Sequence, residues 1–185
     1  MTERQGFSLV EVLSVIVIMG LLAAVALPRS GISSYQANSG AQVVSATLAY
    51  AQRQAISRQA DTRVAFDLPN NRLRMHEDRN NDNVIDANER VTFTNLPEGI
   101  TFGRGTAAAR AIGGGVVTFT RAQGILPVLI FRRDGTASED GGVYLSTVAG
   151  LSVDRTSDVR AVEIDRATGR STWFSYATGV WKERQ

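Results

Sequence analysis

The chain has 185 residues, 43% hydrophobic and 21% charged, with no cysteine and a single histidine, His76. Disulfides, thiolate metal sites, cysteine nucleophiles and histidine clusters are excluded, and any Ser-His-Asp arrangement would have to be built on His76. Nineteen arginines and one lysine, Lys182, against 18 acids leave a formal charge of +2, too weak a balance to imply a nucleic-acid partner.

Residues 7–27, FSLVEVLSVIVIMGLLAAVAL, hold one charge, Glu11, and no proline. As a helix they rise about 31 Å, close to the roughly 30 Å of a bilayer's hydrocarbon. Being apolar all round, the segment needs lipid or a helix bundle. A cleaved signal peptide is one reading, with Ala24-Val25-Ala26 imitating its cleavage site. Against it, the leader charges Glu3 and Arg4 cancel, and the run exceeds the roughly 7 to 15 apolar residues such peptides use. An ordinary membrane anchor is a second reading, in which Glu11 is awkward, since a lone carboxylate in a spanning helix is costly.

A third reading explains both oddities. Gly6-Phe7-Ser8-Leu9-Val10-Glu11 resembles the prepilin processing site of type IV pilins and secretion pseudopilins. The resemblance implies cleavage after Gly6 by a prepilin peptidase, N-methylation of Phe7 and retention of the apolar helix. That helix would hold the subunit in the bacterial inner membrane as a single pass, with the globular part on the periplasmic or extracellular side. It would later pack against other pilins in a filament. By the same resemblance Glu11 is the acidic fifth residue of the mature chain. Its carboxylate would neutralise the terminal amine of a neighbouring subunit, pairing two charges that are each costly when buried alone. Gly20 and Pro28 fall where this family often has a glycine and a proline.

Pro28 should kink or locally melt the helix, and Gly31 and Gly40 weaken the stretch that follows. Helix-favouring residues resume from about Val43 to Ser57, with Val44, Leu48, Ala51 and Ala55 on one face. Val43, Thr47 and Tyr50 widen that face on one side and Ile56 flanks it on the other. The expected organisation is a leader at 1–6, an apolar helix at 7–27, its amphipathic continuation at 28–58 and a β-rich domain at 59–185. The fold class is α+β: a long N-terminal helix packed on an antiparallel sheet, the pilin architecture.

Beyond Asp61 the period becomes alternating. Residues 62–68, a turn at Pro69-Asn70-Asn71 and a return over 72–76 read as a hairpin. Further strands are expected at 90–94, 99–102, 116–121, 126–132, 142–146, 160–165, 171–176 and 180–182, with Asp134-Gly135 and Thr168-Gly169 as turns. The sequence AQRQAISRQ closing the helix, then TRVAFD, FRRDGTAS and RAVEIDRATGR, resembles the GspH/FimT family of minor pilins and minor pseudopilins. This implies a subunit that helps start or prime a type IV pilus or a type II secretion pseudopilus.

Residues 78–89, DRNNDNVIDANE, place Asp78, Asn80, Asp82, Asp86 and Glu89 at positions 1, 3, 5, 9 and 12 of a twelve-residue calcium loop. Val84 at position 7 would offer its carbonyl. Position 6 departs from the pattern, with Asn83 in place of glycine, and the strand-like flanks do not suit an EF-hand. Asp and Asn are also ordinary turn formers, so calcium and a plain polar loop both stand. With calcium, a membrane-anchored calcium-dependent adhesin becomes an alternative role.

Gly103-Arg104-Gly105 and Gly113-Gly114-Gly115 fit no phosphate-binding fingerprint and read as a mobile surface loop. No pair of carboxylates suggests acid–base catalysis, so a non-enzymatic protein is expected. Some FimT-like pilins bind DNA for uptake in natural transformation through a C-terminal GRxR motif. Here Gly169-Arg170-Ser171-Thr172 lacks the second arginine, leaving Arg170, Lys182 and Arg184 as candidate contacts for a pilus-tip DNA receptor.

Overall fold

The structure, a computed structural model, describes residues 8–26 and 30–184. Two compact units divide the chain, residues 1–31 and 32–185. In the first, helix α1 runs over Leu9–Ala26. Ser8 precedes it and its carbonyl accepts from the N–H of Glu11 and of Val12 at 3.0 and 3.2 Å. Ser8 and Glu11 thus have the spacing of a capping box, and the acid sits where the helix dipole favours negative charge. Pro28, the expected kink, lies outside the described residues.

Helix α2 spans Ser30–Arg58 without interruption, so Gly31 and Gly40 do not break it. Gly40 has a packing reason instead: a Cβ there would meet Ile100 Cγ2 at 2.7 Å, so the helix can approach the sheet this closely only without a side chain. Ala37, Ala41, Val44, Leu48, Ala51 and Ala55 form a stripe at alternating steps of four and three, each at most 1% exposed. Thr47 is buried beside it, but Tyr50 is 42% exposed and belongs to the outer face. Ile56 is half-exposed and flanks the stripe against the turn at Gly135.

Ten strands follow: β1 (Asp61–Asp67), β2 (Arg72–Asp78), β3 (Val91–Asn95), β4 (Ile100–Phe102), β5 (Ala122–Gln123), β6 (Leu126–Phe131), β7 (Gly141–Thr147), β8 (Arg160–Ile164), β9 (Ser171–Ala177) and β10 (Val180–Arg184). They form two five-stranded sheets rather than one, ordered β3-β2-β1-β6-β5 and β10-β9-β8-β7-β4. All their pairings are antiparallel. The expected strand at 116–121 is absent. That segment runs beside β7 through one bridge, Val117 to Val143, and hydrogen bonds at Tyr144 and Gly142. A short helix α3 (Val148–Ser152), capped by Thr147 Oγ1 accepting from Gly150 N–H at 2.8 Å, follows β7.

One core joins α2 to both sheets. Val44 and Leu48 meet Val64 and Phe66 of β1, Leu129 and Phe131 of β6, Val143 and Leu145 of β7 and Val162 of β8 in a single cluster. Phe66 stacks on Phe119 at 5.3 Å. Polar groups fix the helix at both ends. Near its start, Asp158 accepts from Ser33 Oγ at 3.0 Å and Thr147 Oγ1 at 2.7 Å, while Arg160 donates to Asn38 Oδ1 at 2.8 Å. Burial lowers the Arg160 guanidinium to about 10, against the opposing pull of Asp158.

Near its end, Gln52 Nε2 donates to the carbonyls of Gly135 and Thr168, both at 2.7 Å. The two turns legible in the sequence, Asp134-Gly135 and Thr168-Gly169, therefore converge on one helix residue. Gly169 has φ of +64°, and a Cβ there would lie 2.2 Å from Gly135 O. Gly169→Ala should lower stability by about 2–4 kcal/mol through left-handed strain and overpacking together. Urea unfolding followed by tryptophan fluorescence measures it, and an unchanged midpoint would contradict the convergence.

Candidate functional site

From Ser8 to Leu22 every side chain of the first unit is exposed, including Leu9 at 80%, Val10 at 70% and Met19 at 66%. A continuous apolar surface of this kind requires lipid or protein to cover it. Glu11 is the acidic residue of its first turn. Gly6 and Phe7, the expected processing residues, lie outside the described residues. Among those described, no helix is long and apolar enough to cross a membrane. The 18 residues of α1 rise about 27 Å, a little under the hydrocarbon thickness.

In the second unit, polar side chains concentrate on the face of the first sheet turned away from α2. Alternation sends Val64 and Phe66 toward the helix and Arg63 and Asp67 to the opposite side. Register sets Arg63 opposite His76 on β2 and Ile130 on β6. These outward residues are nonetheless buried, because the loop at 79–90 folds over them: Arg63 is 6% exposed and His76 and Asp78 are 0%.

The loop is held by a chain of hydrogen bonds. Arg74 donates to Gln123 Oε1 at 2.9 Å, and Gln123 Nε2 donates to the Asn83 carbonyl at 3.0 Å. An arginine only donates and a carbonyl only accepts, so the orientation of the Gln123 amide is fixed. Its Nε2, also 3.0 Å from His76 Nδ1, makes that nitrogen an acceptor. The ring proton therefore sits on Nε2 and is donated to Glu89 Oε2 at 2.6 Å. Glu89 also accepts from the N–H of Arg79 at 2.8 Å and of Asp86 at 3.2 Å.

The structure divides the expected calcium donors into two sets. Asn80, Asp82 and Asp86 come together, the Asn80 amide donating to Asp82 at 2.9 Å and Asp86 at 3.1 Å. Val84 N–H donates to Asp82 Oδ1 at 2.8 Å. Asp78 is instead paired with Arg63, and Glu89 with His76. Among the described residues no group of three or more His, Asp or Glu side chains is gathered to hold a metal ion. Sequence reasoning missed Arg63, Arg74 and Gln123 as the loop's partners. The hairpin register contained the first two, because one residue's slip would have turned them inward; Gln123 gave no local signal.

The C-terminal candidates are scattered. Arg170 lies in the β8–β9 turn and borders a cleft of about 500 Å³ with Asp140, Glu163, Asp165 and Glu183. Four carboxylates beside one arginine repel a phosphodiester. Lys182 and Arg184 stand on the edge strand β10, and Arg184 Nε donates to Ser175 Oγ at 2.9 Å. The glycine-rich loop at 103–115 is pinned rather than mobile. Tyr144 Oη donates to Gly113 O and accepts from Arg110 N–H, each at 2.8 Å, and Trp181 Nε1 donates to Ala108 O at 2.9 Å. Arg110 pairs with Glu163 and lies 3.5 Å over the Phe174 ring.

The electrostatics of Glu89 yield a pH test. Burial alone would raise its carboxyl, but hydrogen bonds from His76 and the N–H groups of Arg79 and Asp86 outweigh it, bringing the value from 4.5 to about 2. A depressed folded value means a stabilising contribution complete above 4.5 and lost as pH falls toward about 2. The melting midpoint of Glu89→Gln should therefore lie below that of the parent at neutral pH and approach it across this window. A gap that stays constant down to the acid end would contradict the network.

Residues 1–27 match the family described as the prokaryotic N-terminal methylation motif. No curated protein and no solved structure matches the chain. The α+β architecture, an N-terminal helix packed on antiparallel sheets, is consistent with a pilin. The chain thus carries the N-terminal motif of a type IV pilin-like protein.

Proposed function

We propose that this protein is a non-enzymatic minor pilin or minor pseudopilin of the GspH/FimT type. It is inserted in the inner membrane, cleaved after Gly6 by the prepilin peptidase, N-methylated at Phe7 and assembled into a type IV pilus or type II secretion pseudopilus. The observation that carries this reading is the methylation motif at 1–27 joined to a helix whose apolar side chains are all uncovered from Ser8 to Leu22. Helices of neighbouring subunits would cover that surface, and Glu11 would meet the methylated amine of one of them, so that neither charge is left unpaired in an apolar core.

N-terminal mass spectrometry of the chain from cells containing the prepilin peptidase tests it. A methylated Phe7 is expected, and a terminus at Leu27 would show ordinary signal cleavage instead. Within the same reading, Glu11→Ala should abolish incorporation into filaments without altering the melting of the β-rich unit.

A second reading concerns the loop at 78–89. Asn83 takes a φ of +68°, the left-handed conformation that the sixth position of a calcium loop requires and that glycine usually supplies. Calcium would draw Asp78 and Glu89 from Arg63 and His76 toward Asn80, Asp82 and Asp86. An ion bound only by the folded state raises the melting midpoint by mass action. A midpoint higher in millimolar calcium than in chelator would support the reading; equal midpoints leave the loop as a hydrogen-bonded cover alone.

A further inference from the structure

Between the loop at 79–90 and the β5–β6 hairpin, a cleft of about 440 Å³ opens on the outer face of the first sheet. Its size falls in the roughly 300–1,000 Å³ range of small-molecule sites. Val128 and Ile130 of β6 line it with apolar surface, and Arg63, Arg121 and Arg132 line it together with Asn81 and Asn83. One carboxylate, Asp61, shares the lining.

The three arginines are not equivalent. Arg63 is engaged by the buried Asp78 and donates to Asn81 Oδ1 at 3.0 Å. Arg121 and Arg132 make no side-chain hydrogen bond or salt bridge among the described residues. Their hydrogen bonds are made by the backbone, the Arg121 N–H on Glu139 and the Arg132 N–H on the Thr136 carbonyl, and the Arg132 guanidinium adds a longer-range attraction to Asp134. Two arginines without a side-chain hydrogen-bond or salt-bridge partner among the described residues thus border one cleft, Arg132 standing between it and a second lined by Asp134, Asp140 and Asp165, and a guanidinium matches the paired oxygens of a carboxylate or phosphate. The apolar lining calls for a body beyond the bare anion. The weak overall charge of +2 and the flanking Asp61 argue against a long polyanion.

We propose that this cleft binds a small organic oxyanion, a carboxylate or phosphate ester on a body about the size of one sugar ring, held by Arg121 and Arg132. The proposal is independent of filament assembly. Calorimetric titration of the full chain in neutral detergent, with glucuronate and with glucose 6-phosphate, tests it and separates the two sources of the anion. Saturable binding of at least one is expected, with none for glucose. Arg121→Gln and Arg132→Gln should each weaken it about tenfold, the loss of one charge-assisted hydrogen bond. Arg133→Gln, an exposed arginine outside the cleft, should leave it unchanged. All three variants sit at the surface, and unchanged melting would verify that they fold. Three results would each overturn the proposal: no saturable binding of either acid, an equal loss in Arg133→Gln, or binding of heparin or single-stranded DNA without either small anion.

Discussion

Everything in the second unit leans on one narrow contact, the stripe from Ala37 to Ala55 of α2 against two sheets at once. Four of its six residues are alanines, and Gly40 lies beside them against Ile100. Small side chains contribute little area each, so the stripe holds by bringing the helix backbone close enough for Val44 and Leu48 to reach strands of both sheets. Fully burying such a side chain is worth about 1.5–3 kcal/mol. With no cysteine in the chain, no covalent link supplements this packing, and a single overpacked position near it is felt directly.

Packing one face of the helix against the inner faces of both sheets leaves two outer faces for the chain to manage, and it does so differently on each. The first sheet is covered by the 79–90 loop over polar pairs, the ion pair of Arg63 with Asp78 and the hydrogen-bonded pair of His76 with Glu89. The second is covered by the 103–115 loop over aromatic residues, Tyr144, Phe174, Tyr176 and Trp181, with Arg110 laid across two of them. Ion pairs in such sites add little net stability, but leaving one partner unmatched is costly. The polar cover therefore specifies where the loop sits, whereas the aromatic cover contributes burial.

Much of this was legible in the residues. The alternation of 62–68 and 72–76, the Asp-Gly and Thr-Gly turns and the Val44–Ala55 spacing each correspond to an element in the structure, because each depends on local periodicity. What local pattern could not supply was the division into two sheets, which depends on β6 pairing with β1 far away in sequence. The packing role of Gly40 and the outward placement of Tyr50 were hidden for the same reason: propensity and spacing describe the helix, while Ile100 and the sheet boundaries decide which of its faces is covered. The calcium spacing in 78–89 was visible, but the competitors for its two terminal carboxylates, Arg63 and His76, lie on strands and become neighbours only through register.

The first turns of α2 show why the buried charges persist. Here the stripe offers only Ser33, Ala37 and Ala41, too little apolar area to fix the rotation of a helix. Asp158 and Arg160 supply that information instead, reaching Ser33, Ser34 and Asn38, which recur on one face of α2. A helix slid by one turn would still set small residues against the sheets at this end. It would leave a carboxylate and a guanidinium, 0% and 3% exposed, without their partners on the helix, and hydrogen bonds of buried charged groups are costly to leave unmade. Competing registers are thus penalised far more than the native one is stabilised. The polar pair thus keeps a small-residue helix from settling in more than one way against its own sheets.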